Sequence, residues 1–281
     1  MFGIRLRIHS IFGHFIGKLT RRYYFEDYVR VYPDDIAYNS FGMRTESNKN
    51  NFLNHCKFYK FASQFVKNRV VADIGCGSGY GCEILSKSGA ERVYGADISK
   101  KAINFARSRY GDFAEFSLQP ITNLKKYTDN FFDISISSEV LEHIKEYGKE
   151  HIALKELKRI TAHKGLVIVG TPNRELLNDH GFTFEEITDL FNSFFSQYCL
   201  FENAFLPFRD RKALWEKRLK EGKVGEIITQ NINLSESVLP EGLRPEIKPG
   251  LEPGIYAFQN YSIDTTLLHN THSWIAIAIN A

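Results

Sequence analysis

The sequence is poor in the residues that staple small secreted proteins or hold structural metals. Its 281 residues include only four cysteines: Cys56, Cys76, Cys82 and Cys199. No two have Cys-x-x-Cys spacing and no nearby histidine completes a zinc pattern, so a zinc site and a disulfide framework are both excluded. We expect reduced thiols in a cytoplasmic protein, and no metal.

Long apolar runs are also absent. No stretch reaches the roughly 18 apolar residues that a membrane-spanning helix requires. Residues 1–22 mix apolar and basic side chains, and Arg5 and Arg7 interrupt the apolar core that a signal peptide needs. Two interpretations stay open for this segment. One is a basic amphipathic helix at the inner face of a membrane, and the other is a helix packed on the domain's own surface.

The sequence lacks a large excess of charge of either sign. Lys and Arg total 36 against 33 Asp and Glu, which gives a net charge of +3. This balance gives no support for a nucleic-acid partner. With 43% hydrophobic residues, the chain has the composition of a globular protein and the length for one large domain with additions.

A regular alternation of strand and helix patterns fills residues 51–194. Short apolar runs such as Val70–Ile74 alternate with segments of helical periodicity such as Lys100–Tyr110, which follows the N-cap candidate Ser99. The alternation predicts an α/β fold, a Rossmann-like doubly wound sheet. We expect seven mostly parallel strands, with an antiparallel last strand at residues 272–279.

The remaining segments divide the chain into four parts. Residues 1–50 are predicted to form an N-terminal helical extension and residues 51–205 the core. Residues 206–267, which contain five prolines, form an insertion, and residues 268–281 return as the closing strand of the core.

The clearest motif follows the first strand. Residues 70–81 read V-V-A-D-I-G-C-G-S-G-Y-G. Ligands bind at the carboxyl ends of strands in open α/β sheets, and glycines let them approach the backbone. The dinucleotide pattern G-x-G-x-x-G fails from each of Gly75, Gly77 and Gly79, and the Gly-Lys-Ser/Thr of a phosphate-binding loop is missing. The turn therefore fits a ligand without a pyrophosphate.

An acid ends the second strand, at Asp97 in G-A-D-I-S. A carboxylate there can accept hydrogen bonds from both ribose hydroxyls of an adenosine, at roughly 1.5–3 kcal/mol each. The same charge repels a 2′-phosphate, which argues against NADP.

Four motifs in order resemble the class I S-adenosylmethionine-dependent methyltransferases: D-I-G-C-G-S-G-Y-G, G-A-D-I-S, F-F-D-I-S-I-S-S-E-V-L-E-H-I and G-L-V-I-V-G-T-P-N. They are most similar to the small-molecule branch, which includes ubiquinone-pathway O-methyltransferases and enzymes of cell-surface glycan clusters. The resemblance implies S-adenosyl-L-methionine as cofactor. It implies contacts to the methionine end from Asp73, Gly75, Cys76, Gly77 and Gly79, to ribose and adenine from Asp97 and Ile98, and near the sulfonium from Ser138.

Two of these implied contacts have alternatives. Asp73 can instead be an acid that stabilises the turn. Family members often carry an acid after the third strand that binds the adenine amino group, and here Ser117–Ile121 has none. The Gln119 side-chain oxygen is the candidate substitute. Otherwise backbone atoms and apolar packing hold the adenine.

Methyl transfer from a sulfonium is an in-line displacement that requires alignment but no metal. A base is needed only if the acceptor loses a proton, and the candidate is His143. The alternative is that Glu142 and His143 order the loop or cap the next helix. The acceptor-side candidates are Tyr59, Glu139, Asn173 and His180.

The expected acceptor is a small molecule or a glycan, methylated at oxygen. Residues 1–50, as a lid, and 206–267, as a cap, are expected to shape its pocket. A protein or RNA methyltransferase and a non-catalytic cofactor-binding scaffold are the alternatives. The balanced charge and the Ser-Ser-Glu-Val after the fourth strand disfavour the former, and the intact glycines and Asp97 disfavour the latter. The sequence predicts no oligomeric state.

Overall fold

The structure is a computed structural model that describes residue 31 and residues 46–174, 180–204, 227–229, 255–258, 262–264 and 271–281. Most of the predicted N-terminal extension and most of the predicted insertion lie outside these described residues. No helix in this part of the chain is long and apolar enough to cross a membrane.

The chain alternates between strands and helices, as the sequence predicts. The α-helices are α1 (Glu46–Ala62), α2 (Tyr80–Lys87), α3 (Lys100–Tyr110), α4 (Leu141–Lys145), α5 (Glu150–Ile160) and α6 (Phe184–Asn192). The strands are β1 (Val70–Ile74), β2 (Arg92–Asp97), β3 (Glu115–Leu118), β4 (Phe132–Ser138), β5 (Thr161–Pro172), β6 (Tyr198–Ala204), β7 (Ile227–Thr229), β8 (Ile255–Phe258), β9 (Ser262–Asp264) and β10 (Thr271–Ile279).

The main sheet has the strand order β3-β2-β1-β4-β5-β10-β6-β8. Strands β1 to β5 pair in parallel, whereas β10 is antiparallel to both β5 and β6. Helices cover the central strands, so Val71, Ala72 and Ile74 of β1 are completely buried. The doubly wound α/β fold with an antiparallel last strand is therefore confirmed.

Within the described residues the main sheet contains eight strands rather than the predicted seven. The additional strand is β8, which pairs antiparallel with β6 and comes from the segment that we predicted to be an insertion. Pairing with β8 satisfies backbone groups that β6 would otherwise present at the sheet edge. The short strands β7 and β9 form a separate pair.

Local sequence signals set several of these boundaries. The Ser99 side chain accepts a hydrogen bond from the Ala102 amide at 3.1 Å, which confirms it as the N-cap of α3. At α6, Thr183 and Glu186 form a reciprocal capping box. Helix α4 was not predicted, because five residues are too few to show a helical period.

The topology places the site. The chain reverses its strand order between β1 and β4, which lie side by side, so the helices that follow these two strands diverge. Such a switch point opens a crevice at the carboxyl ends of the strands. The segments that follow β1, β2 and β4 meet at this crevice.

Candidate active site

The crevice contains an open cleft with a volume of about 1220 Å³ including its solvent mouth. Its walls come from the turn after β1, the turn after β2, the segment after β3 and the segment that joins β4 to α4. Of the predicted site residues, the cleft wall includes Tyr59, Gly75, Cys76, Gly77, Asp97, Ile98, Gln119, Ser138, Glu139 and His143.

The glycine turn after β1 has left-handed backbone angles, which residues with a side chain rarely adopt. Gly75 has φ +84°, and a Cβ atom there would lie 2.2 Å from Cγ2 of Val140. Gly77 has φ +53°, and a Cβ there would meet no atom within 4 Å because it would project into the open cleft. The amides of Gly75 and Cys76 both donate to the Ala96 carbonyl, at 2.7 and 3.0 Å, and so tie the turn to β2. The chain therefore leaves a bare backbone surface facing the cleft.

The Asp97 carboxylate joins the two turns. One oxygen accepts from the Gly77 amide at 2.9 Å, and the other accepts from the Ser99 amide at 2.8 Å. These bonds fix the carboxylate in the cleft wall. Because each carboxylate oxygen can accept more than one hydrogen bond, Asp97 keeps the capacity to bind a pair of hydroxyl groups.

Asp73 lies behind this turn rather than in the cleft wall. It is completely buried, and the Tyr59 hydroxyl donates toward both of its oxygens, each at 3.1 Å. The Cys82 thiol donates to the same carboxylate at 3.4 Å. Burial raises the pKa of Asp73 to about 7 against hydrogen bonds that lower it, and the charge of Asp97 adds to the rise. Asp73 therefore acts on the cleft through Tyr59, which does line it.

The packing of Tyr59 depends on a glycine that the sequence analysis did not single out. A Cβ atom at Gly81, in the first turn of α2, would lie 2.1 Å from the Tyr59 ring. The ring of Tyr80 packs edge-on against Tyr59 at 5.9 Å, and its hydroxyl bonds to Nδ1 of His55 at 2.5 Å. Tyr80 and His55 both line the cleft. His55 is expected over the cofactor because, like Tyr59, it lies on the helix before the motif. The position of Tyr80 inside the motif is the signal that could have indicated it.

The segment after β3 forms the opposite wall. Ile98 and Gln119 line it together with Ile121. The Gln119 side-chain oxygen accepts from the Lys126 amide at 2.8 Å, and its nitrogen donates to the Ser117 hydroxyl at 2.9 Å. The Lys126 amide requires an acceptor, so this orientation of the side-chain amide is fixed. The oxygen that we predicted to bind adenine is thus already engaged with the protein backbone.

The wall after β4 carries the carboxylates and the imidazole. Glu139 has a left-handed φ of +55°, and its amide donates to the Gly170 carbonyl of β5 at 2.8 Å. Burial raises the pKa of Glu139 well above its ordinary value, and the charge of Glu142 raises it further. Ser138 lines the cleft one residue earlier.

The Glu142 carboxylate lies beneath this wall and is 2% exposed. It accepts from the Thr171 hydroxyl at 3.1 Å, which ties α4 to β5. Its other oxygen lies 3.5 Å from Nε2 of His143, which lines the cleft. Glu142 thus orders this segment, as one of the two interpretations of the motif holds, while His143 faces the cleft.

Two of the acceptor-side candidates lie outside the cleft wall. Asn173 is completely buried and forms an isolated backbone bridge with Phe182. His180 lies beside His143, with ring centroids 4.7 Å apart, and its Nδ1 is 3.6 Å from a Glu146 oxygen. Glu146 and Tyr147 line the cleft and were not predicted. Their position directly after the short helix that carries His143 could have indicated them.

The fold and the cleft together define a class of protein. It is a doubly wound α/β domain with a glycine turn after its first strand and an acid at the end of its second, an arrangement that suits a nucleoside cofactor without a pyrophosphate. The bare backbone at Gly77 and the carboxylate of Asp97 fit the methionine and ribose parts of such a cofactor.

Comparison with known proteins agrees. The sequence profile of a methyltransferase domain matches residues 72–169. A Mycolicibacterium smegmatis protein named a probable S-adenosylmethionine-dependent methyltransferase is 28% identical over 130 residues, which are 44% of this chain and 46% of that protein. A Bradyrhizobium diazoefficiens ubiquinone biosynthesis O-methyltransferase is 35% identical over 106 residues, 37% of this chain and 40% of that protein.

A solved structure shows the same fold. A chain from the Haloferax volcanii complex between the Trm112 methyltransferase activator and a methyltransferase has a TM-score of 0.50 at 15% identity, over 83% of this chain and 92% of that one. Together these findings show that residues 72–169 match a methyltransferase domain and that this core is similar to S-adenosylmethionine-dependent methyltransferases. The chain spans less than half the length of the two relatives described.

Proposed function

We propose that this methyltransferase moves the methyl group to a small-molecule or glycan-type acceptor, at an oxygen atom. One observation carries the proposal. A single cleft contains the glycine turn and Asp97, which suit the cofactor, and also the imidazole of His143, which suits a hydroxyl acceptor. The name of the Bradyrhizobium relative, an O-methyltransferase, supports an oxygen acceptor.

The cofactor roles follow from the two turns. The backbone of Gly75–Gly79 and the Tyr59 hydroxyl, supported by Asp73, hold the methionine end. Asp97 accepts from the ribose hydroxyls, and Ile98 packs against the adenine. Because the Gln119 oxygen accepts from the Lys126 amide, we assign Gln119 to the shape of the adenine pocket and leave recognition of the amino group to backbone atoms.

The bound cofactor supplies an electrophilic methyl group on a sulfonium. Ser138 and Glu139 shape the cleft where the acceptor approaches, and the surrounding buried side chains keep water away. As the acceptor oxygen bonds to the methyl carbon and the bond from carbon to sulfur breaks, the hydroxyl proton would pass to His143. The buried Glu142 carboxylate, 3.5 Å from the imidazole, stabilises the cation that forms.

The surroundings of the core are part of the same proposal. We place the protein in the cytoplasm, with residues 1–50 as a lid and residues 206–267 as a cap over the acceptor. Residues 1–22 would contact a membrane surface, which favours a lipid-linked glycan among the acceptors. Sedimentation of the full chain with anionic vesicles, and not with neutral ones, is the result expected of that contact.

Calorimetric titration with S-adenosylmethionine tests the cofactor assignment. We expect saturable binding to the full chain, loss of about 100-fold in affinity in Asp97→Ala, and no binding of NAD, since two charge-assisted bonds disappear. Asp112→Ala, which removes an exposed acid in the turn after α3, is the matched control and binds as the parent does. Equal affinity in Asp97→Ala would contradict the ribose assignment.

An acceptor screen then tests the reaction. Radiolabelled methyl transfer is measured against sugars, lipid-linked glycans and phenolic hydroxyl compounds, with His143→Gln as the comparison. Label that resists mild base and is found on a hydroxyl oxygen supports the proposal. Label on nitrogen, protein or RNA would overturn the choice of acceptor.

A further inference from the structure

Two histidines and two glutamates lie side by side where α4 meets the segment after β5. His143 and Glu142 form one pair at 3.5 Å, and His180 and Glu146 form a second at 3.6 Å. The two imidazole rings are 4.7 Å apart and inclined at 46°. One side-chain donor or acceptor atom of each of Glu142, His143 and His180 lies within 4.8 Å of the others.

The two imidazoles differ in their access to the cleft and to solvent. His143 lines the cleft, whereas His180 does not and has 38% of its side chain exposed. A single water molecule that bonds to both of two groups spans about 4.6 Å between them. The spacing of the rings is therefore short enough for a proton to pass between them through one water.

The position of His180 is fixed from the α4 side. The Lys145 ammonium donates to the Gly181 carbonyl at 3.0 Å and pairs with Glu186. The next residue, Phe182, is 2% exposed, and its carbonyl accepts from the Trp274 indole at 3.0 Å. The two residues that follow His180 are thus held by α4 and by β10, and the His180 imidazole lies next to His143.

We propose that His180 is a positioning residue that acts through His143 and completes a proton-transfer pair for the methyl transfer. The inference rests on the proposed function. The acceptor oxygen forms a bond to the methyl carbon as the bond from carbon to sulfur breaks, and the hydroxyl proton moves to His143. His180 takes this proton through water and releases it to solvent, which returns His143 to its neutral form.

The pair also resists holding two protons. Two unit charges 4.7 Å apart repel each other enough, even at the dielectric constant of water, to separate their titrations by about half a pH unit. The carboxylates of Glu142 and Glu146 favour one proton on the pair of imidazoles, and Glu139 is a further acid that lines the same cleft. Lys145 and Arg174 both pair with Glu186, which offsets one of their two positive charges. His143 therefore stays a competent base at lower pH than it would beside an uncharged neighbour.

Replacing His180 by a neutral residue or by a permanently charged one tests whether its charge lowers the pH at which His143 acts as a base. In the pH profile of kcat, His180→Asn moves the acid-side loss of activity about half a pH unit upward, and His180→Lys, with a permanent charge, moves it downward or leaves it in place. At the optimum His180→Asn lowers kcat less than His143→Gln does, which we expect to lose about 100-fold. The matched control is His151→Asn, which removes a histidine that pairs with Glu150 at 3.3 Å and lies outside the cleft.

A second readout needs no acceptor. The imidazole signals of His143 and His180 are followed by NMR in the full chain between pH 5 and 9. Coupled titrations support the pair: His180→Asn shifts the midpoint of His143 upward, and His151→Asn does not. Independent titrations would overturn it. Loss of activity on chelation with recovery on added Zn²⁺ or Mg²⁺ would overturn it too, because the cluster would then serve a metal.

The two readouts separate this inference from the proposed function. Methyl transfer whose pH profile is unchanged in both His180 variants refutes the pair and leaves the proposed function intact. Coupled titrations in a chain that binds cofactor but methylates no acceptor refute the proposed function, and with it the catalytic use of the pair.

Discussion

Asp73 offers a quantitative test of the electrostatics beneath the cofactor turn. The side chain is completely buried, and burial raises its pKa to about 7 from an ordinary value of 3.8. Hydrogen bonds from Cys82 and Tyr59 oppose this rise and do not cancel it. No Lys or Arg among the described residues forms an ion pair or hydrogen bond with this carboxyl, so its charge is poorly compensated when it ionises.

The sign of the effect on stability follows from the direction of the shift. The pKa of the folded state lies above that of the unfolded state, so the folded protein binds more protons between about pH 4 and pH 7. The stabilisation from the protonated form is complete below pH 4 and is lost as the pH rises through 7. A difference of roughly three pH units corresponds to about 4 kcal/mol of unfolding free energy.

The test is Asp73→Asn, which keeps the shape of the side chain and removes its titration. Urea unfolding without cofactor is followed by circular dichroism at pH 5, 6, 7 and 8. We expect the variant to gain about 2.5 kcal/mol on the parent between pH 5 and pH 8, whatever its stability at pH 5, because the first part of the roughly 4 kcal/mol is lost below pH 5. Asp112→Asn, at an exposed position, supplies the control for the general pH dependence.

The comparison isolates one group because all other titrating residues are shared. If the stability difference between the parent and Asp73→Asn stays constant within about 1 kcal/mol across this range, the carboxyl is ionised throughout and the reasoning is refuted. A gain for the parent as the pH rises would reverse the sign and point to a cation near the carboxyl.

Two further predictions concern the same turn. Gly75→Ala places a Cβ 2.2 Å from Val140 at a left-handed φ, so we expect a loss of about 2 kcal/mol or more by thermal unfolding, whereas Gly148→Ala, left-handed but with no atom within 4 Å, loses only about 1 kcal/mol. Equal losses would contradict the steric argument. Burial raises the pKa of Cys82 well above its ordinary value, so this thiol reacts slowly. In a disulfide-exchange assay at pH 8 we therefore expect Cys56→Ala, and not Cys82→Ala, to remove a fast-reacting thiol. Loss of the fast phase in Cys82→Ala instead would contradict the burial of Cys82.

The parts of the fold that could be predicted from the sequence are those with a local signal. The apolar run at Val70–Ile74, the glycines after it and the cap at Ser99 each encode their conformation within a few residues. The bounds of α3 match the prediction residue for residue. Strand β8 could not be predicted in this way, because its place beside β6 is set by a long-range pairing and its four residues carry little pattern.

The candidate site shows the same division. Asp97 and Gly77 are neighbours because each ends or follows a central strand, and the order of motifs predicts that meeting. The contact of Tyr59 with Asp73 depends on how α1 packs over Gly81, which no spacing in the sequence encodes. Asn173 follows a strand end like the other candidates, yet its backbone bridge to Phe182 buries it.

Asp73 and Asp97, near the carboxyl ends of β1 and β2, show how different surroundings give two similar carboxyl groups different properties. Asp73 is completely buried beneath Tyr59, and its pKa of about 7 means that it titrates near physiological pH. Asp97 accepts hydrogen bonds from the amides of Gly77 and Ser99 in the cleft wall. Paired carboxyl groups with divergent surroundings commonly take different roles in a site. Here the buried acid accepts from Tyr59 behind the turn, and the amide-bound acid lies in the cleft wall, where we propose that it binds the ribose.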